Sequence, residues 1–305
     1  DRFEELFLQS LQKRLRSDVP LGASLSGGLD SSTIVYYLQQ QLRNASTSYK
    51  TFSAVFPGFE QDESAYIQQM VRTLHIENYS TSPTEAQLID DFEKLAYYQE
   101  EPFPSSSIYA QYKVYALAKA TGVTVLLDGQ GADEMLAGYH KYAHWYLQEM
   151  ISRYRFTGAK KERLLMMENN IRFTWTYRNL FAAFLPSHAS IALEKNEYNR
   201  IIQHPDITRE MMSLLRGREW EGIHKPVVTK LNDILYFNTM QYGLEELLRY
   251  ADRNSMAHGV EVRLPYLNAE LVQFVFSLPS NYKIRDGYTK HLLRKLMDHK
   301  LPHSI

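Results

Sequence analysis

From Leu21 to Leu127 the apolar and polar positions switch repeatedly between two spacings. Leu21–Leu25 is a short apolar run that ends in a Gly-rich loop. Residues 31–42 carry Ile34, Val35 and Leu38 on one face, which predicts a helix. Thr51–Phe56 reads as a β-branched and aromatic strand closed by Pro57-Gly58. Ser64–Leu74 reads as a helix and Glu77–Ser80 as a short strand. Thr84–Tyr98 follows as a helix with Thr84 at its N-cap. Pro102 and Pro104 interrupt; Ser107–Ala120 is again helical, and Val123–Leu127 is an apolar strand. Strands that alternate with helices predict a parallel sheet covered on both faces. Upstream, Phe3, Phe7, Leu11 and Leu15 recur every fourth residue, the stripe of an amphipathic helix.

Beyond Tyr139 clear strand runs almost vanish, and stretches such as "KKERLLMMENNIRF" and "LNDILYFNTMQYGLEELLRYADR" keep helical spacing. The expected organisation is therefore one domain over residues 1–305. An α/β nucleotide-binding core would occupy about 1–139, and a largely helical part about 140–305.

Composition narrows the function. A formal net charge of −1 supplies no field for nucleic acid or an anionic membrane. No apolar run approaches the ~20 residues of a membrane-spanning helix. The chain has no cysteine, so this stretch holds neither a thiolate-ligated metal nor a cysteine nucleophile. It starts at Asp1, inside a helical pattern, and is expected to be a piece of a longer protein.

The chemistry concentrates in "SLSGGLDSS", Ser24 to Ser32. The segment follows an apolar strand and leads into a helix. Gly27 and Gly28 allow unusual backbone conformations, and a helix start offers unpaired N–H groups to an anion. Ser26, Ser31 and Ser32 add hydroxyls; Asp30 suits a magnesium ion better than bare phosphate. There is no lysine, so this is not a Walker loop, and it lacks the third glycine of a dinucleotide fingerprint. On composition alone it reads first as a Gly-Gly turn with a Ser/Asp cap, and second as a phosphate cradle.

Four ordered blocks decide between the two. "RLRSDVPLGASLSGGLDSS", "VLLDGQGADEMLAGY", "DRNSMAHGVEVRLPYLN" and "GYTKHLLRKL" resemble, in order, the synthetase domain of glutamine-hydrolysing asparagine synthetases. "SGGLDSS" itself resembles the pyrophosphate loop of the ATP pyrophosphatases. The resemblance implies a Rossmann-like parallel-sheet core of the ATP-pyrophosphatase kind, with ATP and Mg²⁺ as cofactors. It implies that Leu25, Ser26, Gly27, Gly28, Leu29, Asp30, Ser31 and Ser32 bind ATP and its pyrophosphate, with the backbone near Leu25 and Val55 reading the adenine edge. Asp128 and Gly129 would face the nucleotide. Asp30 and Asp133 would hold the metal, and Lys290 would neutralise phosphate charge. Arg253 is a weaker candidate for a substrate pocket, and Glu134 is expected as a first-turn residue facing the helix dipole. Asp62 and Glu63 read equally as a solvated turn and as groups near the nucleotide.

One departure matters. Well-known asparagine synthetases carry Ser-Gly-Glu-Gly-Ala-Asp-Glu where this chain carries Asp128-Gly-Gln130-Gly-Ala-Asp-Glu. Gln130 can hydrogen-bond at the acyl centre but cannot act as a base, which leaves room for a different acceptor. The implied reaction is adenylation of a carboxylate, best matched by the aspartate side chain, followed by attack of ammonia to give asparagine and AMP. The alternatives are a relative acting on another carboxylate, by β-lactam formation, peptide cyclisation or amidation, and a nucleotide-binding domain without turnover. The expected partners are a small carboxylate, ammonia and a glutaminase domain in the parent chain, with neither nucleic acid nor membrane. A cytoplasmic location is expected, and a homo-oligomer is compatible with all of this.

Overall fold

The computed structural model describes residues 1–42, 49–60, 62–103, 105–215 and 224–305. The elements run α1 (Arg2–Arg14), β1 (Leu21–Ser24), α2 (Leu29–Leu42), β2 (Lys50–Ala54), α3 (Ser64–Leu74), β3 (Glu77–Thr81), α4 (Glu85–Gln99), α5 (Ser107–Ala120), β4 (Val125–Leu127) and α6 (Ala132–Met135). They continue as α7 (Ala143–Ser152), α8 (Phe156–Glu168), α9 (Tyr177–Phe184), α10 (Pro186–Ile202), α11 (Arg209–Leu215), α12 (Leu231–Met240), α13 (Leu244–Ala257), β5 (Glu261–Arg263), α14 (Ala269–Ser277) and α15 (His291–Met297). Pro104, expected to break the chain before α5, lies outside the described residues.

The described chain forms two compact units. The first comprises 1–132, 245–277 and 292–305, and the second 133–244 and 278–291.

The first unit is built on a five-stranded sheet in the order β3-β2-β1-β4-β5, with every pairing parallel. Gly22 of β1 faces Lys50 on one side and Leu126 on the other. The chain winds outward from β1 to β3, then returns to the far side of β1 as β4. The strand order therefore reverses between β1 and β4. The carboxyl ends of those two strands are where open parallel sheets bind ligands. This is the Rossmann-like α/β fold class expected from the sequence.

Burial explains why the helices stay on the sheet. Phe3, Leu6, Phe7 and Leu11 of α1 are buried, each contributing ~1.5–3 kcal/mol on removal from water. The Phe7 ring lies 5.0 Å from that of Tyr266, next to α14, and 5.7 Å from that of Tyr37 in α2. A second core joins Phe52 and Leu126 of the sheet to Val114, Tyr115 and Ala118 of α5. Thr84 caps α4 as expected, through a reciprocal box with Gln87.

Two features depart from the periodicity. The run 231–253 is two helices, broken at Gly243 with φ +104°. Beyond Tyr139, Glu261–Arg263 forms a fifth strand beside β4.

The second unit is helical. Buried Glu149 of α7 accepts from the Leu231 N–H at the start of α12 (2.8 Å) and from the Ser280 hydroxyl (2.6 Å). One carboxylate thus ties α7, α12 and the segment 278–291 together. Among the described residues no helix is long and apolar enough to cross a membrane.

Candidate active site

In the first unit the chain leaves β1 at Leu25, whose N–H donates to the Phe52 carbonyl at 2.8 Å. The Leu25 carbonyl accepts from the Ser53 hydroxyl at 2.6 Å. Val55, at the end of β2, gives its N–H to Thr81 at 2.9 Å, so only its carbonyl can face a ligand. The loop then folds on itself. The Ser26 and Ser31 hydroxyls lie 3.0 Å apart; the Ser26 N–H donates to Ser31 Oγ at 3.2 Å and the Gly28 N–H to Ser26 Oγ at 3.3 Å. A serine ring therefore fixes the cradle before any ligand arrives. Ser32 and Leu29 are buried; Ser32 Oγ has no hydrogen-bond partner among the described residues.

Gly27 has φ +83°, and a Cβ there would sit 2.8 Å from Tyr66 Cβ and 3.0 Å from the Ile67 nitrogen. Its requirement is thus the passage of α3 against the loop. At Gly28 a Cβ would meet only Ser26 Oγ, at 3.3 Å.

The β4 loop meets this one. A Cβ on Gly129 would lie 3.3 Å from Asp30 Cβ and 3.5 Å from the Ser31 nitrogen, so the two loops are in van der Waals register. Asp30 is the second residue of α2, and its carbonyl accepts from the Tyr266 hydroxyl at 3.2 Å.

Asp128 is locked from three directions. Its N–H donates to the Arg263 carbonyl of β5 at 3.0 Å. Its Oδ1 accepts from the Gly129 N–H at 2.7 Å, and its Oδ2 accepts from the hydroxyl of fully buried Tyr115 at 3.0 Å. Burial pushes the Asp128 carboxyl up, against the pull of those two donors, and pushes the Tyr115 phenol up as well. Gln130 presents a buried Oε1 with no partner among the described residues. Gly131, at φ +93°, has no room for a Cβ because the Leu267 side chain fills it.

In the second unit Lys290 Nζ lies 2.7 Å from Asp133 Oδ1, with the lysine side chain 12% exposed. The Lys290 N–H donates to the Leu136 carbonyl at 3.2 Å. Gly138 makes this pair possible: a Cβ there would overlap both Asp133 Oδ1 and Lys290 Cε. Glu134 lies in the first turn of α6, as expected. It is buried, accepts from the Tyr139 hydroxyl at 2.6 Å, and has its pKa raised chiefly by burial.

The remaining candidates stand elsewhere. Arg253 pairs with Glu100 at 2.6 Å, so its charge is already met by a carboxylate. Asp62 is a turn residue, with Oδ1 accepting from the Phe56 N–H, the Ser64 N–H and the Ser64 hydroxyl. Its pKa is lowered by those donors, the Ser64 hydroxyl first. His258, which no motif marks as a site residue, lies against Tyr112 with ring centroids 4.3 Å apart and planes inclined by 58°. Among the described residues no three His, Cys, Asp or Glu side chains gather as a metal cage.

The sequence did not mark Tyr115 or Gly138. Tyr115 is one of 22 tyrosines, and nothing in its helical spacing distinguishes it. Gly138 stands inside "MLAGY", where a glycine next to an aromatic residue reads as an ordinary helix stop.

Residues 2–305 match the family model described as "Asparagine synthase". An asparagine synthetase [glutamine-hydrolyzing] 1 of Bacillus subtilis is 27% identical over 97% of this chain and 46% of its own length. A putative asparagine synthetase [glutamine-hydrolyzing] 2 of Methanocaldococcus jannaschii is 37% identical over 52% of this chain and 30% of its own length. A protein named amidase chry2, of Gibberella zeae, is 23% identical over 95% of this chain and 48% of its own length. The chain thus spans less than half the length of these curated relatives. With a family model that covers nearly every residue and the opening and β4 loops in register, this chain belongs to the asparagine synthase family.

Proposed function

We propose that the domain is the synthetase portion of an ATP-dependent amide-forming ligase. One observation carries the reading: the Ser26–Ser32 cradle and the Asp128–Gly131 loop meet at the carboxyl ends of adjacent parallel strands, where the strand order reverses. The N-terminus of α2 supplies N–H donors for a pyrophosphate group. The carbonyls near Leu25 and Val55 suit the 6-amino group of adenine, because their N–H groups are spent on the sheet.

In this reading a substrate carboxylate attacks the α-phosphorus of ATP. The α–β bridging bond breaks, and an acyl-adenylate and pyrophosphate form. Ammonia then attacks the acyl carbon, AMP leaves with the electron pair, the nitrogen gives up one proton to the departing AMP phosphate or to water, and an amide remains. Lys290 meets the charge that develops on the phosphates, and the cradle N–H groups hold the leaving pyrophosphate. Asp30 would offer a hard carboxylate oxygen to a magnesium ion that takes its other ligands from phosphate and water, and Asp133 is the second carboxylate that the family resemblance assigns. Bound there, Mg²⁺ would neutralise pyrophosphate charge. The aspartate side chain is the substrate that the family favours, with asparagine as product. The 305 residues contain no cysteine, so we place release of ammonia from glutamine in a glutaminase domain of the longer protein.

A second reading keeps adenylation and changes the carboxylate. Gln130 favours it, since its unpartnered Oε1 can accept a proton in a hydrogen bond but cannot remove one. The amidase-named relative supports the same direction. A pyrophosphate-release assay over a panel of carboxylates with ammonia separates the two. Release with aspartate supports the first reading, and release with another acid alone supports the second. Release with ATP alone, or with no carboxylate, contradicts both.

A further inference from the structure

Lys290 has φ +51°, a conformation uncommon outside glycine, and it follows a tight hairpin. Arg285 and Tyr288 exchange both backbone hydrogen bonds, N–H to carbonyl at 3.1 and 3.0 Å. The two central residues, Asp286 at φ 52° and Gly287 at φ 75°, are both left-handed, as in the favoured two-residue turn. Such a turn points its two central N–H groups away from its own carbonyls. Here a single side chain on another helix takes both. Glu162 of α8 accepts the Asp286 N–H on Oε1 at 3.0 Å and the Gly287 N–H on Oε2 at 2.9 Å. Asn169, just past α8, donates to the Gly287 carbonyl at 3.1 Å. A Cβ on Gly287 would meet the Leu165 backbone at 2.5 Å, so the turn lies flat on α8.

The lysine emerges from this clamp within three residues. Its N–H is then held by Leu136, and the next N–H, of His291, donates to the Lys283 carbonyl at 2.9 Å. Its backbone is thus pinned before, at and after the residue, and its ammonium is delivered to Asp133. We propose that Glu162 is a positioning residue for Lys290. Its carboxylate, through two charge-assisted bonds to the hairpin, sets where the ammonium stands during adenylation. The inference deepens the proposed function and rests on the reading of Lys290 as the group that meets phosphate charge.

The test uses the full chain and Glu162→Ala, with Glu162→Gln alongside. Gln keeps one acceptor and turns a second N–H toward the hairpin. Two measurements are made. The first is trace acetylation of lysines by acetic anhydride, read by mass spectrometry. We expect Lys290 to label faster in both variants, while Lys50 and Lys113 keep their wild-type rates. The second is carboxylate-dependent ATP–pyrophosphate exchange. We expect kcat to fall, by ~10²-fold for a displacement of about 1 Å, with the KM for ATP changed far less. Unchanged Lys290 labelling in either folded variant overturns the proposal, whatever the turnover. Faster labelling with unchanged kcat overturns it too, because the lysine's place would then not matter to the reaction. If wild-type protein exchanges no pyrophosphate with any carboxylate, the functional reading has failed, and the labelling alone decides whether Glu162 positions Lys290.

Discussion

Tyr115→Phe removes one atom from the centre of the first unit, and its cost can be worked out. The Tyr115 ring is fully buried, so no water replaces the lost hydroxyl. Its partner is the Asp128 carboxyl at 3.0 Å, already pushed up by burial. A hydrogen bond to a charged group contributes ~1.5–3 kcal/mol, and removing one partner of a buried pair costs the full desolvation of the other. The ring keeps its packing against Phe52 and Leu126, so no cavity term adds to this. The expected loss is ~2 kcal/mol at pH 7, read as a lower urea midpoint at unchanged m-value. Asp128→Asn keeps an acceptor for the Gly129 N–H and removes the carboxyl that can carry charge. In that background the same Tyr115→Phe change is expected to cost under ~1 kcal/mol, as for a neutral hydrogen bond. A double-mutant cycle isolates the difference. Equal costs in the two backgrounds would refute the argument that Tyr115 serves a carboxylate.

Three further outcomes are expected. Gly138→Ala drives a methyl group into the Asp133–Lys290 pair; exchange activity should fall by at least ~10²-fold, as for a misplaced catalytic group, and wild-type activity would show that the pair can move without penalty. Fully buried Lys283, with Nζ 3.0 Å from the Leu278 carbonyl, has its pKa pushed down to about 7 by burial. Between about 7 and the ordinary lysine value of 10.5 the unfolded chain holds more protons, so stability should rise with pH there, by at most ~1.4 kcal/mol per pH unit. Lys283→Met should flatten that slope, and parallel slopes in the two proteins would contradict the assignment. Thr84→Ala breaks the reciprocal cap of α4 and should cost ~1 kcal/mol in chemical denaturation; no change would mean that the box is replaced by water at no cost.

The α/β half was legible because each element there carries its own signal. Ser64–Leu74 and Ser107–Ala120 are bounded as their spacing predicts, and Thr84 caps the helix that its side chain should cap. The fifth strand was not legible. Glu-Val-Arg is three residues long with one apolar side chain, and only pairing with β4 makes it a strand. The break at Gly243 was hidden by apolar residues that keep helical spacing on both sides of it. The loops themselves were readable as loops, and Asp30, Asp128 and Gly129 stand where strand ends should put them. What holds them was not readable. Tyr139 closes over Glu134 and α3 passes against Gly27, and neither contact is written in the local sequence. Glu162 and Gly287 are 125 residues apart, and their bond exists only through tertiary packing.

The proposed function turns on activation of a carboxylate by ATP at the cradle between β1 and β4. Isotope exchange between pyrophosphate and ATP tests it most directly, with aspartate and other acids supplied one at a time and ammonia withheld. Exchange should depend on one carboxylate and be lost in Asp30→Asn protein that still folds. Exchange that ignores the carboxylate, or survives Asp30→Asn unchanged, would contradict it.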